Sequence, residues 1–135
     1  MYGRTDILFE TARFNLSQVK EHFINDCCFG EDLAAWLQGR LNSNGMHALE
    51  PYQEDWGWEF SVKDSVGSYY VGVGGNAAEG AANKNQGEWR VMISKRRSLC
   101  DTLTGKNKLS AGEPIISSIR TVLEAETDFA NFREE

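Results

Sequence analysis

The stretch Trp56-Gly57-Trp58-Glu59-Phe60-Ser61-Val62-Lys63-Asp64-Ser65-Val66-Gly67-Ser68-Tyr69-Tyr70-Val71-Gly72-Val73 sets the fold class. Trp56, Trp58, Phe60 and Val62 alternate strictly with Gly57, Glu59, Ser61 and Lys63. A period of two sends alternate side chains to opposite faces, as in a half-buried strand. Asp64-Ser65-Val66-Gly67 then supplies turn chemistry. Beyond it Tyr69, Val71 and Val73 alternate with Tyr70, Gly72 and Gly74. Two such runs joined by a short polar turn predict an antiparallel hairpin.

Downstream, Gly75 to Gly87 is rich in glycine, alanine and asparagine and reads as a mobile loop. Glu88 to Lys95 resumes the alternation, with Trp89, Val91 and Ile93 on one face. Arg96 to Gly112 reads as an irregular connection. Pro114 suits the first turn of a helix, and Ile115, Ile116, Ile119, Val122 and Leu123 form an apolar stripe. Phe129 and Phe132 extend that stripe, so the spacing predicts a helix from 114 to about 132.

Upstream, Met46 to Glu50 reads as a short strand ending at Pro51. Gly30-Glu31-Asp32 opens a helix with acids at its positive end. Leu33, Trp36, Leu37 and Leu41 make its apolar face, and Asn44-Gly45 is its stop. Residues 30 to 44 are therefore predicted helical. A second, short helix capped by Ser17 fits the spacing of Leu16, Val19, Lys20, Phe23 and Ile24. Ile7 to Phe14 reads as a first strand whose parity shifts at Ala12, through either a bulge or an early end. The order β-α-β-β-β-β-α predicts one α+β domain over 1–135. It should be a two-layer sandwich, with an antiparallel sheet of about five strands and two main helices on one face. The other face is left for solvent, a ligand or a second subunit.

Composition narrows the function classes. Twenty acidic against fourteen basic residues give a net charge of −6, which repels phosphate and argues against nucleic-acid binding. No apolar run reaches the roughly 20 residues of a membrane helix, and Met1 to Asp6 lacks a secretory pattern. A cytoplasmic location is expected. Three cysteines, two of them adjacent as Cys27 and Cys28, are poor material for a disulfide framework and are expected as reduced thiols. Neither a metal site nor a cofactor is expected, because Cys27, Cys28 and His22 match no usual zinc spacing.

Glu50-Pro51-Tyr52-Gln53-Glu54-Asp55-Trp56-Gly57-Trp58 concentrates acids and aromatics. Carboxylates beside indole faces attract cations, since both the charge and the ring quadrupole draw positive ligands. The candidate ligand-binding residues are Glu54, Asp55, Trp56, Trp58 and Tyr70. The alternative makes Trp58 a core residue and leaves Trp56, across Gly57, as the more exposed indole. Glu50, Glu54, Asp55 and Glu59 are solvated charges unless burial raises one of them, so no catalytic residue is assigned. Gly72-Val73-Gly74-Gly75 lacks the full phosphate-loop pattern and reads as a strand whose small residues face a bulky neighbour. Lys95-Arg96-Arg97, followed by Lys106 and Lys108, reads either as a site for an anion or an acidic partner segment or, more often for such a run, as a solvated loop that balances acids between Glu113 and Glu126.

Cys27-Cys28-Phe29-Gly30-Glu31-Asp32-Leu33-Ala34-Ala35-Trp36-Leu37, the Glu50–Trp58 stretch and Glu88-Trp89-Arg90 resemble small bacterial proteins of the kind carried on mobile integron gene cassettes. That resemblance implies a bacterial setting and brings no known activity. Some cassette proteins resemble drug-binding domains in which an acid and aromatics hold cationic ligands, but those carry a duplicated βαββ unit, and this chain has no internal repeat. The sequence points to a non-enzymatic binding module for a cationic or aromatic small molecule. The alternative is a toxin-neutralising or adaptor protein whose acidic surface meets a partner. A homodimer through exposed sheet aromatics is expected, because tyrosine and tryptophan favour interfaces, the alternative being that the same side chains line a pocket.

Overall fold

The computed structural model describes residues 4–26 and 28–135. Among them the chain forms β1 (Arg4–Thr11), α1 (Glu31–Ser43), β2 (His47–Ala48), β3 (Tyr52–Glu54), β4 (Gly57–Lys63), β5 (Ser68–Ala77), β6 (Gly87–Lys95), α2 (Leu99–Thr104), α3 (Pro114–Glu124) and β7 (Ala130–Glu134). This is an α+β fold. Its open sheet runs β2-β4-β5-β6-β1-β7, with β3 also paired to β4. All pairings are antiparallel.

The predicted hairpin is β4–β5, with Phe60 opposite Val71 and Trp58 opposite Val73. The alternation does what it implies. Trp58, Phe60 and Val62 join Tyr69, Val71 and Val73, then Trp89, Val91 and Ile93, then Ile7 and Phe9, in one buried cluster. Leu33, Leu37 and Leu41 of α1 and Ile115, Ile116, Ile119 and Leu123 of α3 complete it. Each large side chain removed from water there contributes about 1.5–3 kcal/mol.

Gly30 precedes α1 at φ 135°, and a Cβ there would lie 2.9 Å from Val73 Cγ2. Only glycine meets both the backbone angle and the close approach to β5. Asp32 steadies the same corner by accepting from the backbone N–H of Asn15.

Among the described residues the sheet has seven strands rather than about five, and the largest departure is at the C-terminal end. The helix expected to 132 stops at Glu124, and residues 130–134 become β7. Two competing gains override the helical spacing. Phe129 and Phe132 stack on Phe9 at 4.7 and 5.7 Å, and β7 pairs the edge of β1 that would otherwise expose its backbone polar groups. Arg13 fixes the turn, with its guanidinium 4.5 Å from the Phe129 ring and ion-paired to Glu126 and Asp128.

Smaller departures have local causes. β1 ends early at Thr11, without reaching Phe14. Residues 17–24 form turns, not a helix, because their backbone is claimed by side chains. Asn15 accepts from Ser17 and Gln18 N–H, and Gln53 accepts from Ile24 and Asn25 N–H. β5 runs on to Ala77, inside the stretch read as loop. From that loop Asn85 Oδ1 accepts from Leu16 N–H. The connection after β6 holds α2, capped by Ser98. Lys95 is not a solvated charge. It is buried against Glu113 at 2.5 Å and ties β6 to the start of α3.

Candidate functional site

The two indoles of the acidic-aromatic stretch part company. β3 and β4 are joined by a tight turn at Asp55 and Trp56. Trp58 lies in β4 and points into the core at 5% exposure, its Nε1–H donating to the Cys28 carbonyl at 3.0 Å. Trp56 lies in the turn and escapes the strand's alternation. Its indole lies on the opposite, open face of the sheet, over Gly72. A Cβ on Gly72 would fall 2.4 Å from the ring's Cη2 and 2.9 Å from Cζ3, so the edge of the indole abuts β5 and only glycine leaves room for it. Trp56 remains 45% exposed.

Beside that indole is a cavity of about 460 Å³. Gly72 and Gly74 of β5 and Met92 of β6 make its apolar floor. Trp56 and Glu59 stand on the β4 side, and Arg90 and Arg4 on the β6 and β1 side. Register explains the set. Glu59 pairs with Gly72, Gly72 with Met92, and Met92 with Asp6, a row that crosses four adjacent strands on one face. Glycines and an unbranched methionine on that row leave the room.

The polar walls are held from behind. Asp6 is 5% exposed and accepts two hydrogen bonds from Arg4, both 2.8 Å, and one from Arg90 at 2.5 Å. Burial alone would raise the Asp6 carboxyl. The hydrogen bonds and charges of the two arginines outweigh it and hold the group below its ordinary value. Arg90 reaches Glu135 as well, at 3.2 Å. On the other wall the Tyr52 hydroxyl donates to Glu59 Oε1. Burial, then the Glu59 carboxylate, push the Tyr52 phenol well above its ordinary value, so it stays a donor at neutral pH.

Of the five residues singled out from the sequence, Trp56 alone lines this cavity. Trp58 is a core residue. Glu54 ends β3 half-buried, and Asp55 is exposed at the turn. Tyr70 sits on the open face but borders a separate depression of about 150 Å³ with Leu49 and Lys63. Sequence reasoning missed Arg4, Arg90 and Met92, and it read Glu59 as a solvated charge. Their signal is parity once the register is known, and a single strand read alone does not contain it. The reading of the β5 glycines as small residues facing a bulky neighbour holds at Gly72, and the neighbour is Trp56.

Cys28 is disulfide-bonded, against the expectation of a reduced thiol. Cys100 is free and exposed. The expectation for Cys27 lies outside the described residues. His22 Nε2 sits on the Glu31 carboxylate at 2.6 and 2.7 Å. Among the described residues no group of three or more His, Cys, Asp or Glu side chains is placed to hold a metal ion. No helix among them is long and apolar enough to cross a membrane.

No family model, curated protein or solved structure matches the chain. The functional reading therefore rests on the chemistry of the cavity.

Proposed function

We propose that this protein is a non-enzymatic binding module for a planar aromatic small molecule, seated in the cavity on the open face of the sheet. The observation that carries the reading is the placement of Trp56. An indole whose edge abuts Gly72 and which is still 45% exposed offers a ring surface beside an apolar floor of Gly74 and Met92. Ligand sites commonly combine such a floor with a few fixed polar groups, and here those groups are Glu59, Arg4 and Arg90. Aromatic stacking contributes about 0.5–1.5 kcal/mol beyond the area buried. Glu59 gives one end an affinity for cations, and the arginines give the other an affinity for anions. The reading takes the molecule as a two-layer sandwich with its helices on one face, in a bacterial, cytoplasmic setting of the integron-cassette kind.

Tryptophan fluorescence against a panel of bicyclic aromatics tests this. Saturable quenching that disappears in Trp56→Ala is the expected result. No quenching at high micromolar concentration by any of them counts against it.

A second reading is favoured by the exposure of Tyr52 beside Trp56. The open face then docks a partner protein or a second copy of the chain. Sedimentation at increasing concentration separates the two readings. A dimer that Trp56→Ala abolishes supports docking, and a monomer throughout excludes self-association on this face.

A further inference from the structure

We infer that the ligand carries an oxyanion, a carboxylate in the first instance, gripped by Arg4 and Arg90. This rests on the reading of the cavity as an aromatic-ligand site and names the charge of its occupant. The acidic net charge and the acid-rich stretch around Trp56 point the other way, toward a cation. The placement of the side chains reverses that. Glu54 and Asp55 do not line the cavity, whereas two guanidiniums do.

The arginines are built for the task. Asp6, nearly sealed from solvent, engages Nε and Nη2 of Arg4 and Nη1 of Arg90. Among the described residues, Nη1 of Arg4 and Nε and Nη2 of Arg90 donate to no protein acceptor. Two forks are thus fixed in place with donors to spare. Planar guanidiniums match carboxylate geometry, and a side chain already ordered loses little entropy on binding. Glu135, a further acid on this wall, occupies the same Nη1 that already serves Asp6, so it leaves the remaining donors free. At the opposite end stands a single acid, Glu59, with one oxygen taken by the Tyr52 hydroxyl.

The spacing suits one molecule. Glu59 on β4 and Arg90 on β6 are two inter-strand steps apart and two residues out of row, roughly 12 Å between Cα atoms, and Arg4 on β1 is one step further and two residues out of row in the other direction. A bicyclic ring beside Trp56 over Gly74 and Met92 points a ring-borne carboxylate at Arg90. An ammonium in that position, itself only a donor, faces the unused N–H donors of two guanidiniums.

The test is a titration, by calorimetry and tryptophan quenching, with naphthoate, naphthamide and naphthylmethylamine, which share a ring and differ in charge. The expected order places naphthoate about tenfold tighter than the amide, with the amine weakest. Arg90→Gln and, separately, Arg4→Gln should bring naphthoate down to the level of the amide and leave the amide unchanged. Near-ultraviolet dichroism confirms that both variants keep their fold, and Arg90→Lys covers the case in which the glutamine does not. The lysine keeps the charge and loses the fork, so it should retain part of the preference. Equal binding of acid and amide, or tightest binding of the amine, with dependence on Trp56 intact, overturns the oxyanion and leaves the aromatic site standing. No binding of any of the three overturns the site itself.

Discussion

The same strands make two very different surfaces. On the core face, Trp58, Phe60, Val62, Tyr69, Val71, Trp89, Val91 and Ile93 form a continuous apolar wall that shares one buried cluster with side chains of α1 and α3. On the open face, their immediate neighbours in sequence are Glu59, Ser61, Tyr70, Gly72, Arg90, Met92 and Ser94. The core wall is redundant, because each residue is packed by many others and its shape follows from being filled. The open face is not redundant. Its cavity exists because one indole leaves its strand, one glycine receives it, and one buried acid aligns two arginines. Stability should therefore concentrate on the first face and specificity on the second.

The contrast breaks most easily at Trp89, fully buried beside Phe14. Trp89→Ala should cost about 3–5 kcal/mol in urea unfolding. A cost near that of a surface substitution would mean that the core face is not where stability resides.

Asp6 is the test of the open face's own contribution. Asp6→Asn should cost about 1.5–3 kcal/mol, the range for hydrogen bonds to charged groups. The pH dependence has a definite sign. A carboxyl held below its ordinary value of 3.8 stabilises the fold fully above that value, and the stabilisation is lost as pH falls through the lower folded-state value. Acid unfolding curves of the parent and of Asp6→Asn should converge in that region. Parallel curves down to low pH would contradict the role given to Asp6.

Gly72→Ala sharpens the comparison at a single contact. The added methyl collides with the Cη2–Cζ3 edge of the Trp56 ring, so the indole must shift away. The expected cost is about 1–2 kcal/mol from overpacking, with a red shift of tryptophan emission and loss of aromatic binding. Unchanged emission and binding would place the indole elsewhere.

The smallest effect on stability belongs to Trp56→Ala, within about 0.5–1 kcal/mol for a half-exposed side chain. Its effect on ligand binding should be the largest of any substitution on the open face. A variant that unfolds easily would make Trp56 part of the core after all.

What the sequence made legible follows from the range over which each signal acts. Alternation is local, and it correctly assigns the core side chains of β4, β5 and β6. The stripe of Leu33, Leu37 and Leu41 is equally local, and α1 lies where that spacing puts it. Tertiary competition was not legible. Phe129 and Phe132 satisfy a helical spacing, yet they stack on Phe9 while β7 closes the edge of β1. Nor was the cavity legible, because its walls come from four strands whose neighbours are set by register. Arg4 and Arg90 are 86 positions apart in sequence and meet only because β1 pairs with β6. The acid-rich stretch drew attention to Trp56, which lines the cavity, and to Glu54 and Asp55, which do not, whereas the acid that does is Glu59, one strand position beyond Trp58.

Fluorine NMR of protein carrying fluorotryptophan tests the central claim most directly, because each of the four indoles reports separately. Titration with naphthoate should move one resonance, the one missing from Trp56→Phe, and leave those of Trp36, Trp58 and Trp89 in place. Movement of a core indole without that of Trp56, or of none at saturating ligand, would contradict an aromatic site on the open face.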